Sequence, residues 1–145
     1  RVGVDLGTEL ADDSLHSLAI ANPRSAPYGT AALEVLRATG IDAAQQYRLV
    51  QGESVAQAFQ FIASGAADAG FVSGAQLLQY QRNTGRTLDG ERLAVDPSLH
   101  GPIEQQAVLL RDAATDPVAQ AFLRYLKTPP ALALIEAAGY SVPVP

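Results

Sequence analysis

A short apolar segment that runs into a proline-bracketed turn and then into a helix constrains this fold most. Residues 18–21 (LAIA) form a brief apolar run bounded by polar residues, which predicts a buried strand. The turn at residues 22–29 (NPRSAPYG) follows, and residues 27–39 have the apolar spacing of a helix that ends at Gly40. The first N–H groups of a helix lack partners within it and lie at the positive end of its dipole. A strand–turn–helix unit of this kind can bind an anion through backbone amides.

The same arrangement recurs twice further along the chain. A predicted strand at residues 47–50 is followed by Ser54 and Gln57, which have the spacing of a capping box at the start of a helix. A third predicted strand at residues 68–72 precedes a helix at residues 75–82. Strands that alternate with helices predict an α/β domain with a mainly parallel sheet and right-handed crossovers.

The remaining segments give weaker predictions. Residues 2–4 (VGV) favour a strand or an extended crossover, and two more strands are predicted at residues 93–95 and 103–110. Two proline-initiated helices then close the chain, at residues 116–126 and 131–138. The first of these carries an apolar stripe at helical spacing, made of Val118, Phe122, Tyr125 and Leu126.

Composition excludes several classes of function. The formal net charge is −5 and the ten lysines and arginines form no run, so the basic surface that nucleic acid requires is missing. There is no cysteine, and the two histidines, His16 and His100, are far apart, which disfavours a metal site. The chain has no GxSxG or GxxxxGK[ST] motif and no window of eighteen apolar residues. We therefore expect a binding protein rather than an enzyme.

The predicted ligand site lies where the three strands end. In parallel sheets ligands bind beyond the carboxyl ends of the strands, so the loops at residues 22–29, 51–55 and 73–75 are expected to meet there. The candidate donors are the backbone N–H groups of the residues that begin the first two helices, and two serine hydroxyls. These groups belong to Tyr28, Gly29, Val55, Ala56, Ser54 and Ser73.

Each of these candidates has a simpler alternative. The turns at residues 22–29 and 54–57 are also what an ordinary helix start requires, with Ser54 and Ser73 acting only as caps. Arg24 would either add a positive charge at the mouth of the site or be a solvated surface side chain.

Three sequence runs resemble the periplasmic molybdate-binding proteins of ABC importers: residues 18–29, residues 50–61 (VQGESVAQAFQF) and residues 69–74 (AGFVSG). Residues 122–140 are similar to the C-terminal helices of many solute-binding proteins. The resemblance implies a periplasmic-binding-protein-like lobe with three layers, followed by C-terminal helices. It also implies a tetrahedral oxyanion ligand, molybdate or tungstate, held by neutral donors without a cofactor or a bound metal cation.

On that resemblance, the backbone N–H groups of Tyr28 and Val55 would donate to the anion. Some members use a tyrosine hydroxyl where this chain has Ser73, whose shorter side chain would need a bridging water. The expected partners are the oxyanion and the membrane permease of an importer, with no nucleic acid, and the expected location is the periplasm.

The resemblance also implies a domain organisation. Residues 1–112 would be the second lobe of a two-lobed receptor, with a crossover segment at its start, and residues 113–145 would pack on a first lobe that this chain lacks. Because the chain begins at Arg1 rather than Met, we expect an upstream segment. The apolar stripe would then fold back on the lobe, exchange between copies of the chain or pair with a separate polypeptide.

A lobe with about half of the donors is expected to bind its anion weakly, since each hydrogen bond to a charged acceptor contributes about 1.5–3 kcal/mol. Two alternatives stay open from the sequence. One is an effector-binding domain of a transcription regulator with the same architecture, and the other is a receptor for sulfate or phosphate.

Overall fold

Within residues 6–142, which the computed structural model describes, three parallel strands form one sheet. The strands are β1 (Ser17–Ala21), β2 (Arg48–Gly52) and β3 (Ala69–Gly70), and β1 lies in the middle. All three belong to the first of two units, which ends at Ile103. The predicted mainly parallel sheet is therefore confirmed.

Helices cover both faces of β1, because its side chains alternate between the two sides of the sheet. Leu18 and Ile20 are fully buried in a cluster with Leu36 of helix α2 (Pro27–Ala38). On the opposite face, Ala19 packs in a second cluster with Ala58 of helix α4 (Val55–Ala63). The result is the predicted three-layer arrangement of helix, sheet and helix.

Two short α-helices, one longer α-helix and a 3-10 turn (Pro97–Leu99) complete the first unit; the α-helices are α1 (Leu6–Leu10), α3 (Ala43–Gln46) and α5 (Gly74–Thr84). The carbonyl oxygen of Leu10, at the end of α1, accepts hydrogen bonds from the Tyr47 hydroxyl and from Nε2 of Gln46. Burial raises the pKa of Tyr47, which keeps this hydroxyl a donor.

Three glycines allow backbone segments of this unit to approach one another closely. A Cβ atom on Gly29 would lie 2.2 Å from the carbonyl oxygen of Ala21, and one on Gly70 would lie 2.6 Å from that of Ala19. A Cβ on Gly52 would lie 2.8 Å from the backbone nitrogen of Ala58. These glycines set how near the helices and strands come at the sheet edge where the loops lie.

Several sequence predictions differ from the structure. Residues 93–95 and 103–110 do not form strands: both are irregular, the second is mostly exposed, and within residues 6–142 neither has a neighbouring strand to supply a ladder of hydrogen bonds. The third strand is shorter than residues 68–72, because only Ala69 and Gly70 pair with β1. The segment predicted at residues 2–4 lies outside the described residues.

The second unit begins at Glu104 and contains helices α6 (Pro117–Tyr125) and α7 (Pro129–Ala137). Oδ1 of Asp116 caps α6 by accepting from the N–H of Val118 at 2.8 Å, which confirms the predicted start. Three members of the apolar stripe, Val118, Phe122 and Tyr125, are exposed. The division into a lobe at residues 1–112 and C-terminal helices at residues 113–145 stays a prediction.

A carboxylate joins β3 to the start of β1. Oδ2 of Asp68 accepts hydrogen bonds from the Ser17 hydroxyl (2.8 Å), the Ser17 N–H (2.8 Å) and the His16 N–H (3.1 Å). These bonds, led by that from the Ser17 hydroxyl, hold the pKa of Asp68 below its usual range. Because the pKa is lowered in the folded state, the ionised carboxylate stabilises the fold above about pH 4, and this contribution is lost as the pH falls further.

Replacing Asp68 with asparagine is expected to lower the thermal unfolding temperature at neutral pH, because a neutral amide cannot accept three hydrogen bonds as strongly as a carboxylate. The difference from the wild-type chain should shrink as the pH falls below about 4. Thermal unfolding followed by circular dichroism between pH 2 and pH 7 measures this difference in unfolding temperature. Asp13→Asn, at an exposed turn position, is the matched control. An equal effect of the two substitutions at pH 7 would contradict the prediction.

Candidate functional site

The first two predicted loops are joined by hydrogen bonds at one edge of the sheet. β1 and β2 run in register to their ends, where Ala21 pairs with Gly52. Beyond them, the Asn22 N–H donates to the Gly52 carbonyl at 2.7 Å, and the Ser25 hydroxyl donates to the Glu53 carbonyl at 3.4 Å. The starts of α2 and α4 are therefore neighbours, as the parallel topology predicts.

The turn before α2 is held by hydrogen bonds among its own residues. Oδ1 of Asn22 accepts from the Arg24 N–H at 3.0 Å, and Pro27 occupies the first turn of the helix. The N–H of Gly29 donates to the Ala26 carbonyl at 2.9 Å. This bond corrects the prediction that the Gly29 amide points outward as a free donor. The absence of a side chain at Gly29 serves the close approach to Ala21. Tyr28 precedes it as the second residue of α2, with a half-buried side chain.

The start of α4 has the predicted capping box. Oγ of Ser54 accepts from the Gln57 N–H at 3.3 Å, and Oε1 of Gln57 reaches back to accept from the Glu53 N–H at 2.7 Å. Ser54 therefore acts as a helix cap; the cap uses only its oxygen, so direct contact of its hydroxyl with a ligand stays a prediction. Among the residues that the structure describes, none accepts a hydrogen bond from the N–H of Val55, the first residue of the helix. That donor lies at the positive end of α4.

The start of α5 contacts the start of α4 through a side chain that the sequence analysis did not identify. With its amide oriented to satisfy its hydrogen bonds, Gln76 donates to the Val55 carbonyl (3.2 Å) and accepts from the Ala56 N–H (3.0 Å). The Ala56 amide, predicted to be a free donor, is therefore paired. The Ser-x-x-Gln spacing of Ser73 and Gln76 was the available signal, but it indicates only a local cap.

Ser73 is the buried hydroxyl of this site. It is 6% exposed, and its Oγ accepts from the Gln76 N–H at 3.3 Å and, at the same distance, from the Gln76 side-chain amide. Both contacts use lone pairs of the oxygen, and the hydroxyl proton is a separate donor. Ser73 is thus a helix cap whose hydroxyl retains the capacity to donate.

A cleft of about 360 Å³ lies beside the start of α2. Its lining includes the exposed side chain of Arg24, together with Glu34 and the segment at residues 101–103. Oε2 of Glu34 accepts from the Gly101 N–H at 2.7 Å and ties that segment to the helix. Arg24 is therefore a solvent-exposed residue of the first loop that faces this cleft.

The donors gathered at this edge are neutral. Across the described part of the chain, no group of three or more His, Cys, Asp or Glu side chains is placed to hold a metal ion. Backbone amides at helix N-termini together with a hydroxyl are suited to an anion.

Within residues 6–142 no helix has the length and apolar character that crossing a bilayer requires.

The family model for bacterial extracellular solute-binding proteins matches residues 4–141. This chain belongs to that family. It is also 42% identical over 138 residues to the molybdate-binding protein ModA of Azotobacter vinelandii, a match that covers 95% of this chain and 53% of that protein. The ModA protein of Rhodobacter capsulatus is 42% identical over 136 residues, with 94% and 51% covered.

A solved structure, the periplasmic molybdate-binding protein of Azotobacter vinelandii, has a TM-score of 0.84 to this chain at 38% identity. The superposition covers 97% of this chain and 60% of that one. The chain thus spans about half the length of the curated relatives it matches. The resemblance inferred from residues 18–29, 50–61 and 69–74 is confirmed, and so is the fold class.

Proposed function

We propose that this chain is the anion-binding lobe of a receptor for a tetrahedral oxyanion, molybdate or tungstate. The observation that carries the proposal is the Val55 N–H, which lacks an acceptor within residues 6–142 and begins a helix beside the start of α2. Two relatives that cover nearly the whole chain are named molybdate-binding proteins, which supports the choice of ligand.

The proposed contacts use different parts of the three loops. The backbone amides of Tyr28 and Val55 donate to the anion, and the Ser73 hydroxyl donates directly or through a water molecule. Gly29 and Ser54 serve the site indirectly, since Gly29 brings α2 close to the strand end and Ser54 caps α4. Neutral donors at two helix N-termini stabilise a dianion without a counter-cation.

The rest of the proposed function concerns the longer receptor. The site would lie in a cleft between this lobe and a second lobe, and the receptor would deliver the oxyanion to the permease of an ABC importer in the periplasm. The chain alone would bind weakly, because each missing hydrogen bond to the anion removes about 1.5–3 kcal/mol. The exposed stripe on α6 (Val118, Phe122, Tyr125) supports self-association or packing against another lobe.

Replacing Val55 with proline tests the proposed donor, because it removes the N–H while leaving the helix start intact. Proline is favoured at the first position of a helix, and Ser54, which precedes it, already has the extended conformation (φ −143°, ψ 164°) that proline requires. We expect affinity for molybdate to fall roughly ten- to hundredfold, the equivalent of one charged hydrogen bond. Isothermal titration calorimetry measures the affinity.

Val55→Ala is the matched control, since it shortens the side chain and keeps the N–H. It should bind molybdate within about twofold of the wild-type chain. Thermal unfolding of all three proteins verifies that the helix start is preserved. Equal affinities for Val55→Pro and Val55→Ala, with both folded, would refute the assignment of this donor.

A further inference from the structure

A carboxamide links the two helix starts at the edge of the proposed anion site. The Gln76 side chain donates to the Val55 carbonyl (3.2 Å) and to Oγ of Ser73 (3.3 Å), and accepts from the Ala56 N–H (3.0 Å). Gln76 itself is half-buried and sits in the first turn of α5. It therefore contacts the peptide group between Val55 and Ala56, directly after the N–H proposed to bind the anion.

We propose that Gln76 is a positioning and selectivity residue of the anion site, an inference that rests on the proposed function. It fixes the first peptide of α4 relative to α5, and as an uncharged side chain it allows the site to accept a fully deprotonated dianion. Gln76 acts through Val55 and Ala56 and does not itself have to touch the ligand.

The positioning role follows from where the hydrogen bonds go. Ala56 is the second residue of α4, so its N–H has no partner within the helix. Gln76 supplies that partner and at the same time holds the Val55 carbonyl, so it fixes the peptide group that directly follows the Val55 N–H. Further along the two helices, the rings of Phe59 and Tyr80 are in contact, with centroids 5.6 Å apart. The two helices therefore touch at a second point, and Gln76 secures the end nearest the site.

The contrast with Gln57 supports a role beyond capping. Gln57 has the same spacing from its cap residue, Ser54, as Gln76 has from Ser73. Oε1 of Gln57 stays local and accepts from the Glu53 N–H. Oε1 of Gln76 instead reaches the backbone of another helix. The same local motif therefore serves one helix start alone in α4 and links two helix starts in α5.

The selectivity role follows from charge. A carboxylate in place of the Gln76 amide would keep an oxygen near the Ala56 N–H but would add a negative charge at the edge of the site. That charge repels a dianion without protons, such as molybdate. An anion that carries a proton, such as hydrogen phosphate, can donate a hydrogen bond to the carboxylate, and this bond offsets part of the repulsion. The neutral amide therefore favours the fully deprotonated oxyanion.

Two variants of Gln76 separate these roles, with Gln79→Glu as the matched control; because Gln76→Glu also loses the donor to the Val55 carbonyl, its charge effect is the loss of molybdate affinity beyond that of Gln76→Leu. Gln79 is an exposed residue of the same helix, so the control adds the same charge away from the contact. In calorimetric titrations with sodium molybdate and with inorganic phosphate, we expect Gln76→Glu to lower molybdate affinity at least tenfold and phosphate affinity by less. Gln79→Glu should change neither by more than about twofold, because exposed charges are screened.

Gln76→Leu removes the hydrogen bonds without adding charge. Amide hydrogen exchange followed by NMR is expected to show faster exchange at Ala56, by tenfold or more, together with weaker molybdate binding. This readout needs no ligand and reports the positioning role directly. A folding control comes from thermal unfolding, which verifies that both Gln76 variants remain folded. A carboxylate is favourable near helix N-termini but cannot donate to the Val55 carbonyl, so a modest loss of stability is expected for Gln76→Glu.

The outcomes distinguish the inference from the function on which it rests. If the wild-type chain binds neither anion at millimolar concentration, the proposed function fails and the selectivity role fails with it. If the wild-type chain binds molybdate and Gln76→Glu binds it equally well, only the selectivity role of Gln76 is overturned. Unchanged exchange at Ala56 in Gln76→Leu would overturn the positioning role, whichever result the titrations give.

Discussion

Replacing Gly29 with alanine is expected to destabilise the first unit by about 3 kcal/mol, at the upper end of the cost of overpacking. The new Cβ would lie 2.2 Å from the carbonyl oxygen of Ala21, 2.8 Å from its carbonyl carbon and 2.8 Å from the Pro23 nitrogen. All three neighbours are backbone atoms, so no side-chain rotation relieves the contact. Either β1 or the start of α2 has to move. Urea unfolding followed by circular dichroism measures the change.

Gly74→Ala is the control for this substitution, because Gly74 also lies in the first turn of a helix. A Cβ at Gly74 would meet no atom within 4 Å. Alanine is the better helix former, so this variant should be as stable as the wild-type chain or gain up to about 0.5–1 kcal/mol. Equal urea midpoints for Gly29→Ala and Gly74→Ala would contradict the close approach of α2 to the end of β1.

Truncating Leu36 to alanine is expected to cost about 2–5 kcal/mol, the range for a leucine removed from a packed core. Leu36 is 1% exposed and lies in the cluster with Leu18 and Ile20, between α2 and the sheet. The substitution removes buried methyl groups and leaves a cavity that the surrounding strands and helices fill only in part.

The matched control is Leu78→Ala in α5, a leucine of the same unit that is 39% exposed. Its expected cost is below about 1 kcal/mol, since much of the side chain is already in water. Thermal and urea unfolding of both variants test the difference. Similar losses of stability would show that the face of α2 carrying Leu36 does not form the main core.

The sequence predicted those parts of the fold in which local pattern and tertiary contacts agree. The strand at residues 18–21, the helix start at Pro27 and the capping box of Ser54 and Gln57 are all present in the structure. Each has a local physical cause: an apolar run, a fixed proline φ, or a side chain that reaches its own backbone. The convergence of the three loops also followed from the sequence, because parallel strands end at the same edge.

The predictions that were wrong or missing depended on contacts that local sequence does not determine. The apolar residues at 93–95 and 103–110 favour strands locally, but a strand requires a partner and neither segment has one in the described structure. Gln76 was missed because its partners, Val55 and Ala56, are about twenty residues away in sequence. The hydrogen bond from the Gly29 N–H to the Ala26 carbonyl was also missed, because residue types do not indicate whether the first turn of a helix tightens to form bonds between residues three apart. Direct contact of Tyr28, Val55 or Ser73 with an oxyanion stays a prediction.

The small residues beneath α4 have a consequence for altering the proposed anion site. Ala19 and Ala58 are fully buried between sheet and helix, and Gly70 closes the same layer. The backbone of α4 therefore lies close to the strands. The methyl groups of Ala19 and Ala58 set the distance between the N-terminal end of this helix and the sheet, although they lie several residues from the proposed anion position. A larger side chain at Ala58 would tilt that end outward. Redesigning the site for a larger ion therefore starts in this buried layer between α4 and the sheet, where one added carbon atom changes the position of the start of α4.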